Sequence, residues 1–472
     1  MMTLPKDQKR VLVIGGGVTG VATVRFLNAK GDHVTVVDDR PDPPGASQLR
    51  ELLPADQLLF DHPFESLKLN DVDQLVVSPG LPRSLPLLER ARNSGINLLS
   101  DIEIFLAETT TPVIAVTGTN GKSTLVTMIA HLLRAAGKTV AAGGNLGPAA
   151  LDLLTEQAPD FYLLELSSFQ LEWLAQLNAA VAVITNITPD HLDRYDSFET
   201  YRAAKARVLV GAGRAVLNLD DSHCRQLAMT LPLATVVDWY GSADRAHAQA
   251  QIQLGQVPEL PGLIGQHNRI NGQAALTVLS ALGLYSSLPA QPWDGFTGLP
   301  HRLQWIAELD GVQWLNDSKA TNVGATLAAI EGIPMPATRQ LVLILGGLGK
   351  DQDFSPLQLI ASELRAVITI GVDGDLIGQL FEGLAPVLMA GNMERAVGLA
   401  ADAAWAGDSV LLSPACASQD QYRDYQQRGD HFAELVFGRS NQPNGDQPRK
   451  ADLARGNQID TSQKVGSEPT DQ

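Results

Sequence analysis

Cysteine is nearly missing from this chain: Cys224 and Cys416 are the only two in 472 residues, and they form no C-x-x-C pair. A disulfide framework and a cysteine-built zinc site are therefore excluded, and a reducing cytoplasm is the expected compartment. Positive charge is also scarce. The 35 Lys and Arg stand against 52 Asp and Glu, a net charge of −17. That balance argues against loose binding to nucleic acid or anionic membranes, which needs a basic field. It still allows an anionic small molecule in a pocket that focuses a few cations. Long apolar runs are lacking too. No stretch approaches the roughly 20 apolar residues of a membrane span, and the start MMTLPKDQKRVLVIGGG is too short and too broken by glycine for a signal peptide.

What remains is an ordinary globular composition, 44% hydrophobic, with length for about three domains of roughly 150 residues each. Residues 10–100 alternate short apolar runs with helical patterns: VLVIG (11–15), a helix near 19–30, HVTVVDD (33–39) and QLVVSPG (74–80). This predicts a small βαβ domain with a parallel sheet. A second α/β unit starts at VIAVTG (113–118), whose helix at about 123–136 carries Leu125, Ile129, Leu132 and Leu133 on one stripe and stops at Gly137. YLLEL (162–166) and AVAVITN (180–186) read as buried parallel strands. GFTGLPHRLQWI (295–306) reads as a linker into a third unit, with strands at LVLILGG (341–347), AVITIG (366–371) and SVLLSP (409–414). The expected class is α/β with three domains, at 1–101, 102–299 and 300–439, the first and last Rossmann-like. Residues 440–472 hold no aromatics and few aliphatics and are expected to be a disordered tail.

Two glycine loops stand out. The first, Gly15-Gly16-Gly17-Val18-Thr19-Gly20, follows a strand and fits G-x-G-x-x-G, with Asp38 about 20 residues on. The second, Gly118-Thr119-Asn120-Gly121-Lys122-Ser123-Thr124, departs from the strict phosphate-loop pattern because Val116 stands where glycine is wanted. Its glycines still let amides turn inward beneath a helix N-terminus, making an anion site. Lys122 would sit on outer phosphates and Ser123 would face a Mg²⁺. Glu165 lies in an apolar strand, where a carboxylate needs a cation. Ligands of open α/β sheets lie beyond the carboxyl ends of the strands. Three such ends would bring Lys122 and Ser123, Glu165 and His191 to one edge.

GTNGKST (118–124), LLELSSFQLE (163–172), TNITPDHLDRY (185–195), GQHNRINGQAAL (265–276) and NDSKATN (316–322) resemble the Mur ligases, in that order. LLSPACASQDQYRDYQQRGDHF (411–432) is similar to the C-terminal signature of the member that takes D-glutamate. The resemblance covers roughly residues 10–438. It implies an ATP-dependent amide ligase of peptidoglycan precursor synthesis, a cytoplasmic monomer acting on UDP-N-acetylmuramoyl-L-alanine and D-glutamate through an acyl phosphate. It implies two Mg²⁺ sites, with Ser123 and Glu165 at one and His191 and a carbamylated Lys205 at the other. It places ATP on residues 118–124 and near Asn268, Asn271, Arg302 and Asp317. It places the UDP substrate at Val18, Thr19, Asp38, Asp39, Arg40, Ser78, Gly80, Asn145 and His191. D-Glutamate falls to Lys319, Thr321, Lys350, Ser418 and Tyr425, the last standing where the family commonly has Phe. Other readings are a ligase of the same superfamily with another amino acid, an NAD-dependent oxidoreductase using Gly15–Gly20, and a nucleotide-binding regulator without turnover.

Overall fold

The computed structural model describes residues 8–440 except 192–193, 242–251, 253–256, 259–265, 297, 334–339 and 350–351. The tail beyond 440 therefore lies outside the described residues. The chain divides into two compact units, Met1–Leu299 and Pro300–Gln472. Among the described residues no helix is long and apolar enough to cross a membrane.

The first unit holds two parallel sheets. One contains β1 (Arg10–Ile14), β2 (His33–Val37), β3 (Leu58–Leu59), β4 (Gln74–Val77) and β5 (Asn97–Leu99), in the order β3-β2-β1-β4-β5. The other contains β6 (Val113–Thr117), β7 (Val140–Gly144), β8 (Phe161–Glu165), β9 (Val181–Ile184), β10 (Arg214–Asn218) and β11 (Val236–Tyr240), in the order β11-β10-β9-β6-β8-β7. Both faces of this second sheet are buried. Ile114 and Val116 join the core under the helices Lys122–Ala135 and Gln266–Ala281, while Ala115, between them, joins the core on the opposite face. Side chains alternate across a strand, so burial on both faces demands the unbroken apolar runs seen in the sequence.

The second unit is built on β12 (Gln304–Leu309), β13 (Val312–Asn316), β14 (Leu341–Gly346), β15 (Leu364–Ile370), β16 (Val387–Gly391) and β17 (Ser409–Leu412), in the order β12-β13-β17-β14-β15-β16. Only β12 runs antiparallel, paired with β13. Here the structure corrects the sequence reading. The stretch expected as a linker to 306 already enters β12 at Gln304. A register shift between Trp305 and Ala307 breaks the alternation that marks a strand. The overlooked signal was Asp310-Gly311, with φ of 52° and 75°, a two-residue hairpin turn closing β12 onto β13.

Candidate functional site

β6 leads straight into the second glycine loop. Gly118 has φ 148° and Gly121 φ 81°, and Gly121 caps the helix Lys122–Ala135 in the left-handed conformation. A Cβ on Gly118 would lie 1.8 Å from Thr185 Oγ1, and one on Gly121 would lie 3.1 Å from Asn271 Oδ1. Both positions therefore favour glycine for conformation, and Gly118 needs it for space as well. The end of the neighbouring strand β9 holds the loop. Thr119 N–H donates to Asn186 O and Asn120 N–H to Asn186 Oδ1, each at 2.9 Å, and Thr185 Oγ1 donates to Asn120 O at 2.7 Å. The Lys122 ammonium turns back onto the loop, donating to Gly118 O at 3.0 Å and Thr119 O at 2.9 Å. Ser123 and Thr124 are buried in the first helical turn.

β8 and β9 flank β6, so their carboxyl ends deliver further groups to this edge. Glu165 is 2% exposed; its Oε1 accepts from Asn145 Nδ2 at 2.8 Å, and its Oε2 has no partner among the described residues. An orphaned buried carboxylate oxygen is costly and fits a cation ligand. No group of three or more His, Cys, Asp or Glu is gathered for a metal among the described residues. A hydroxyl, one carboxylate and phosphate oxygens would be the donor set, which suits Mg²⁺. Lys205, on the helix Phe198–Ala206, is 2% exposed and donates to Gly118 O at 2.7 Å, with its ammonium 4.7 Å from the Tyr201 ring centre. Burial, then the nearby Lys122 charge, pushes the Lys205 amine down to about 7, against the pull of Asp190 and Glu165. The Tyr201 hydroxyl meets Thr119 Oγ1 at 3.0 Å. His191, at φ 52°, is exposed, its ring 4.9 Å from Phe169 and 6.3 Å from Tyr201. Asn268 and Asn271 are buried on the helix Gln266–Ala281, with Asn271 against Gly121. Sequence reasoning missed Thr185, Asn186 and Tyr201 as holders of this loop. A Thr-Asn pair closing an apolar strand was the available signal.

The first glycine loop lies over a separate cleft of about 440 Å³. Val18, Thr19, Asp38, Asp39, Arg40, Ser78 and Gly80, all the expected residues of that domain, line it. Asp38 is 1% exposed and already occupied. Its Oδ2 accepts from Gly16 N–H and from Arg40 Nη2, each at 2.7 Å, and its Oδ1 accepts from Arg40 Nε at 2.7 Å and Arg40 N–H at 3.0 Å. Burial pushes this carboxyl up, but the Arg40 and Gly16 hydrogen bonds outweigh it and leave it below the usual range. Asp38 thus holds the loop and Arg40 together, and Arg40 is the exposed member of the pair. Asn145 is placed at the other site, on Glu165.

In the second unit Asp317, Lys319, Thr321, Ser418 and Tyr425 follow β13 and β17, while Arg302 precedes β12. Lys319 Nζ stands 4.0 Å from the Tyr425 ring centre, and Lys319 N–H donates to His301 O at 3.1 Å. Burial pushes the Asp317 carboxyl up to about 7, although it accepts from Ser413 Oγ at 3.0 Å and Leu303 N–H at 3.1 Å and lies near Arg302. Ser418 is buried with a hydroxyl that has no partner among the described residues. Thr321 precedes Asn322, the cap of the helix Val323–Gly332. Lys350 lies outside the described residues. One residue was missed outright. Arg428, 1% exposed, donates to Ser318 Oγ and O at 3.0 and 2.9 Å and to Cys416 and Ala417 O at 3.0 and 3.3 Å, with no carboxylate partner among these bonds. Burial lowers it to about 10.

Three stretches match family descriptions. Residues 9–100 match the Mur ligase MurD-like N-terminal domain, 116–279 the Mur ligase middle domain and 301–416 the Mur ligase glutamate ligase domain. Among curated relatives, the chain is 42% identical to a UDP-N-acetylmuramoylalanine–D-glutamate ligase of Nitrosococcus oceani over 92% of this chain and 97% of that one. It is 43% identical to the protein of the same name in Methylococcus capsulatus, over 91% and 95%. A solved UDP-N-acetylmuramate–alanine ligase from Thermotoga maritima shares the fold, with TM-score 0.54 and 19% identity over 92% of this chain and all (100%) of that one. A pseudomurein peptide ligase from Methanothermus fervidus does so at TM-score 0.53 and 18% identity, covering 91% and 100%.

Proposed function

The chain belongs to the Mur ligase family, and on that premise we infer that it performs the reaction its relatives are named for. It is an ATP-dependent ligase that joins D-glutamate to UDP-N-acetylmuramoyl-L-alanine in peptidoglycan precursor synthesis. The observation that carries this reading is the meeting of Lys122 and Lys205 on one loop carbonyl, beside a buried carboxylate with an orphaned oxygen.

A carboxylate oxygen of the substrate's L-alanine attacks the γ-phosphorus of ATP. The bond to the bridging oxygen breaks, ADP leaves and an acyl phosphate forms. The D-glutamate nitrogen attacks the acyl carbon, the carbon–oxygen bond to phosphate breaks, and the amine proton is lost. Such a reaction asks for positioning and charge neutralisation. Lys122 answers on the loop amides, and Asn145, anchored on Glu165, flanks the acyl group. Ser123 and Glu165 would hold one Mg²⁺, and His191 with Lys205 a second; the ions, when bound, neutralise charge on the transferring phosphoryl group. Burial lowers the Lys205 amine to about 7, so part of it is neutral at neutral pH, and the neutral amine is the nucleophile that takes up CO₂ with loss of a proton. The resulting carbamate exchanges a cation beside Lys122 for an anion. The UDP handle would rest in the cleft at Val18 to Gly80, and D-glutamate among Lys319, Thr321, Lys350, Ser418 and Tyr425. A cytoplasmic monomer is the expected working form.

The test is phosphate release with Mg-ATP and UDP-N-acetylmuramoyl-L-alanine, comparing D-glutamate with L-glutamate, L-lysine and diaminopimelate. Release with D-glutamate alone, and a product of matching mass, is expected. Release with another amino acid keeps the ligase and overturns the substrate.

A further inference from the structure

We propose that Gln352 is a positioning residue of the amino-acid pocket, tying together the loops that follow β13, β14 and β17. This rests on the D-glutamate reading above. The three strands lie side by side and parallel in the order β13-β17-β14, so their carboxyl ends lie along one edge of the sheet. Each loop lends the Gln352 side chain one partner. Oε1 accepts from Val323 N–H at 3.1 Å, and Nε2 donates to Gly349 O at 3.0 Å and Ala415 O at 2.7 Å. One carboxamide thereby spends both its donors and an acceptor on three separate pieces of chain.

Two of the partners need this help. Ala415 has φ 59°, a left-handed conformation that is unfavourable for a residue with a β-carbon and persists only when neighbours fix it. Val323 opens the helix Val323–Gly332, where an amide has no intrahelical acceptor. Asn322 Oδ1 serves Ala325 N–H at 2.8 Å, so Gln352 takes the donor that the cap leaves over. The β14 and β17 loops have a second tie, because Leu348 and Ala417 exchange both backbone hydrogen bonds at 2.9 Å. Among the described residues the start of the helix has no such backbone ladder to them, and its other tie is Thr326 Oγ1, which donates to Ser413 O at 3.2 Å and accepts from Ser413 Oγ at 3.1 Å. Arg428 already joins Ser318 to Cys416 and Ala417 deeper in the two loops; Gln352 adds the tie at the helix start, between Thr321, two residues before Val323, and Ser418, three residues after Ala415. These are the hydroxyls expected to grip the amino acid. The acyl-phosphate half of the reaction uses neither.

The test is steady-state phosphate release by the full chain and by Gln352→Ala and Gln352→Glu, varying each substrate in turn. Losing one such tie should raise KM for D-glutamate about tenfold in Gln352→Ala. Gln352→Glu turns two donors into acceptors facing carbonyls, and the rise should reach about a hundredfold. The values of kcat, and of KM for ATP and the UDP substrate, should stay within about threefold. Isotope exchange between ADP and ATP without amino acid should be unchanged. An unmoved KM for D-glutamate in Gln352→Ala overturns the proposal, as does a parallel rise for all three substrates. Should Gln352→Glu fail to fold, Gln352→Ala decides alone. If the unmutated chain prefers another amino acid, the D-glutamate reading falls, and the same comparison is run on the amino acid that turns over.

Discussion

The two glycine loops of the first unit are built alike and charged differently. Each follows a buried parallel strand and opens a helix. At Gly15–Gly20 the loop is clipped from below by Asp38, whose oxygens are all taken by Gly16 and Arg40, and its exposed rim is Val18 and Arg40. At Gly118–Thr124 two ammonium groups point at the same carbonyl, and a carboxylate with a spare oxygen waits at the next strand end. The first loop has its buried carboxylate fully paired; the second gathers two ammonium groups against one buried carboxylate that keeps a spare oxygen. Agreement with a glycine pattern does not separate them. The side chains sent in by neighbouring strands do, and in the reaction proposed above handling falls to the first loop and chemistry to the second.

That division is most exposed at the lysines. Lys122→Ala and Lys205→Ala should each lower kcat by about a thousandfold or more, the scale of removing a preorganised donor at a transferring charge. Short carboxylic acids should restore part of the Lys205→Ala activity and none of the Lys122→Ala activity, read by phosphate release. Full activity of Lys205→Ala would remove that residue from the chemistry. Val18→Ala and Thr19→Ala are the matched controls: they should move KM for the UDP substrate and leave kcat within about threefold.

Next in size is Gly118→Ala. The added methyl meets Thr185 Oγ1 at 1.8 Å and the backbone is held at φ 148°. A forced shift of that loop should cost about 2 kcal/mol or more in denaturant unfolding, and kcat about a hundredfold. A smaller effect follows from Asp38→Asn, which removes charge-assisted bonds to Gly16 and Arg40. KM for the UDP substrate should rise about tenfold with kcat little changed. Its carboxyl is held low in the folded chain, so its contribution to stability is complete above the usual carboxylate range and fades as pH falls through the folded value. The variant should accordingly show a flatter acid limb in a pH series of thermal unfolding.

Much of the fold could be read from the sequence because strands buried on both faces cannot hide. β6, β8, β9 and β14 are apolar runs too short to cross a membrane, which burial on both faces of a sheet explains. β12 was lost because a bulge destroys the period by which strands are recognised. At the site, Lys122 and Glu165 announce themselves by the loop they follow and the apolar strand they interrupt. Lys205 does not. YRAAK looks like a solvated helix face, and the carbonyl that buries its lysine belongs to a loop 87 residues away. Arg428 and Gln352 are less legible still. Their partners are mostly backbone carbonyls and amides, which every residue carries and no sequence pattern marks.

The smallest expected effect probes whether the two loops act independently. Arg194 N–H donates to His191 O at 3.0 Å, and its Nη2 donates to Leu81 O at 2.8 Å in the segment lining the first cleft. Its guanidinium also lies 5.4 Å from the ring centre of Phe169, against which His191 packs. One side chain therefore spans from the cleft at the first glycine loop to the segment at His191. Arg194→Gln should raise KM for the UDP substrate about fivefold, lower kcat about twofold and leave KM for ATP unchanged. The informative number is its combination with Asp38→Asn. If the two changes multiply to within about 0.3–0.5 kcal/mol, the loops are independent modules and Arg194 is a local brace. If the double variant is markedly better than the product of the singles, the handle reaches the catalytic edge through Arg194, and the two loops form one device.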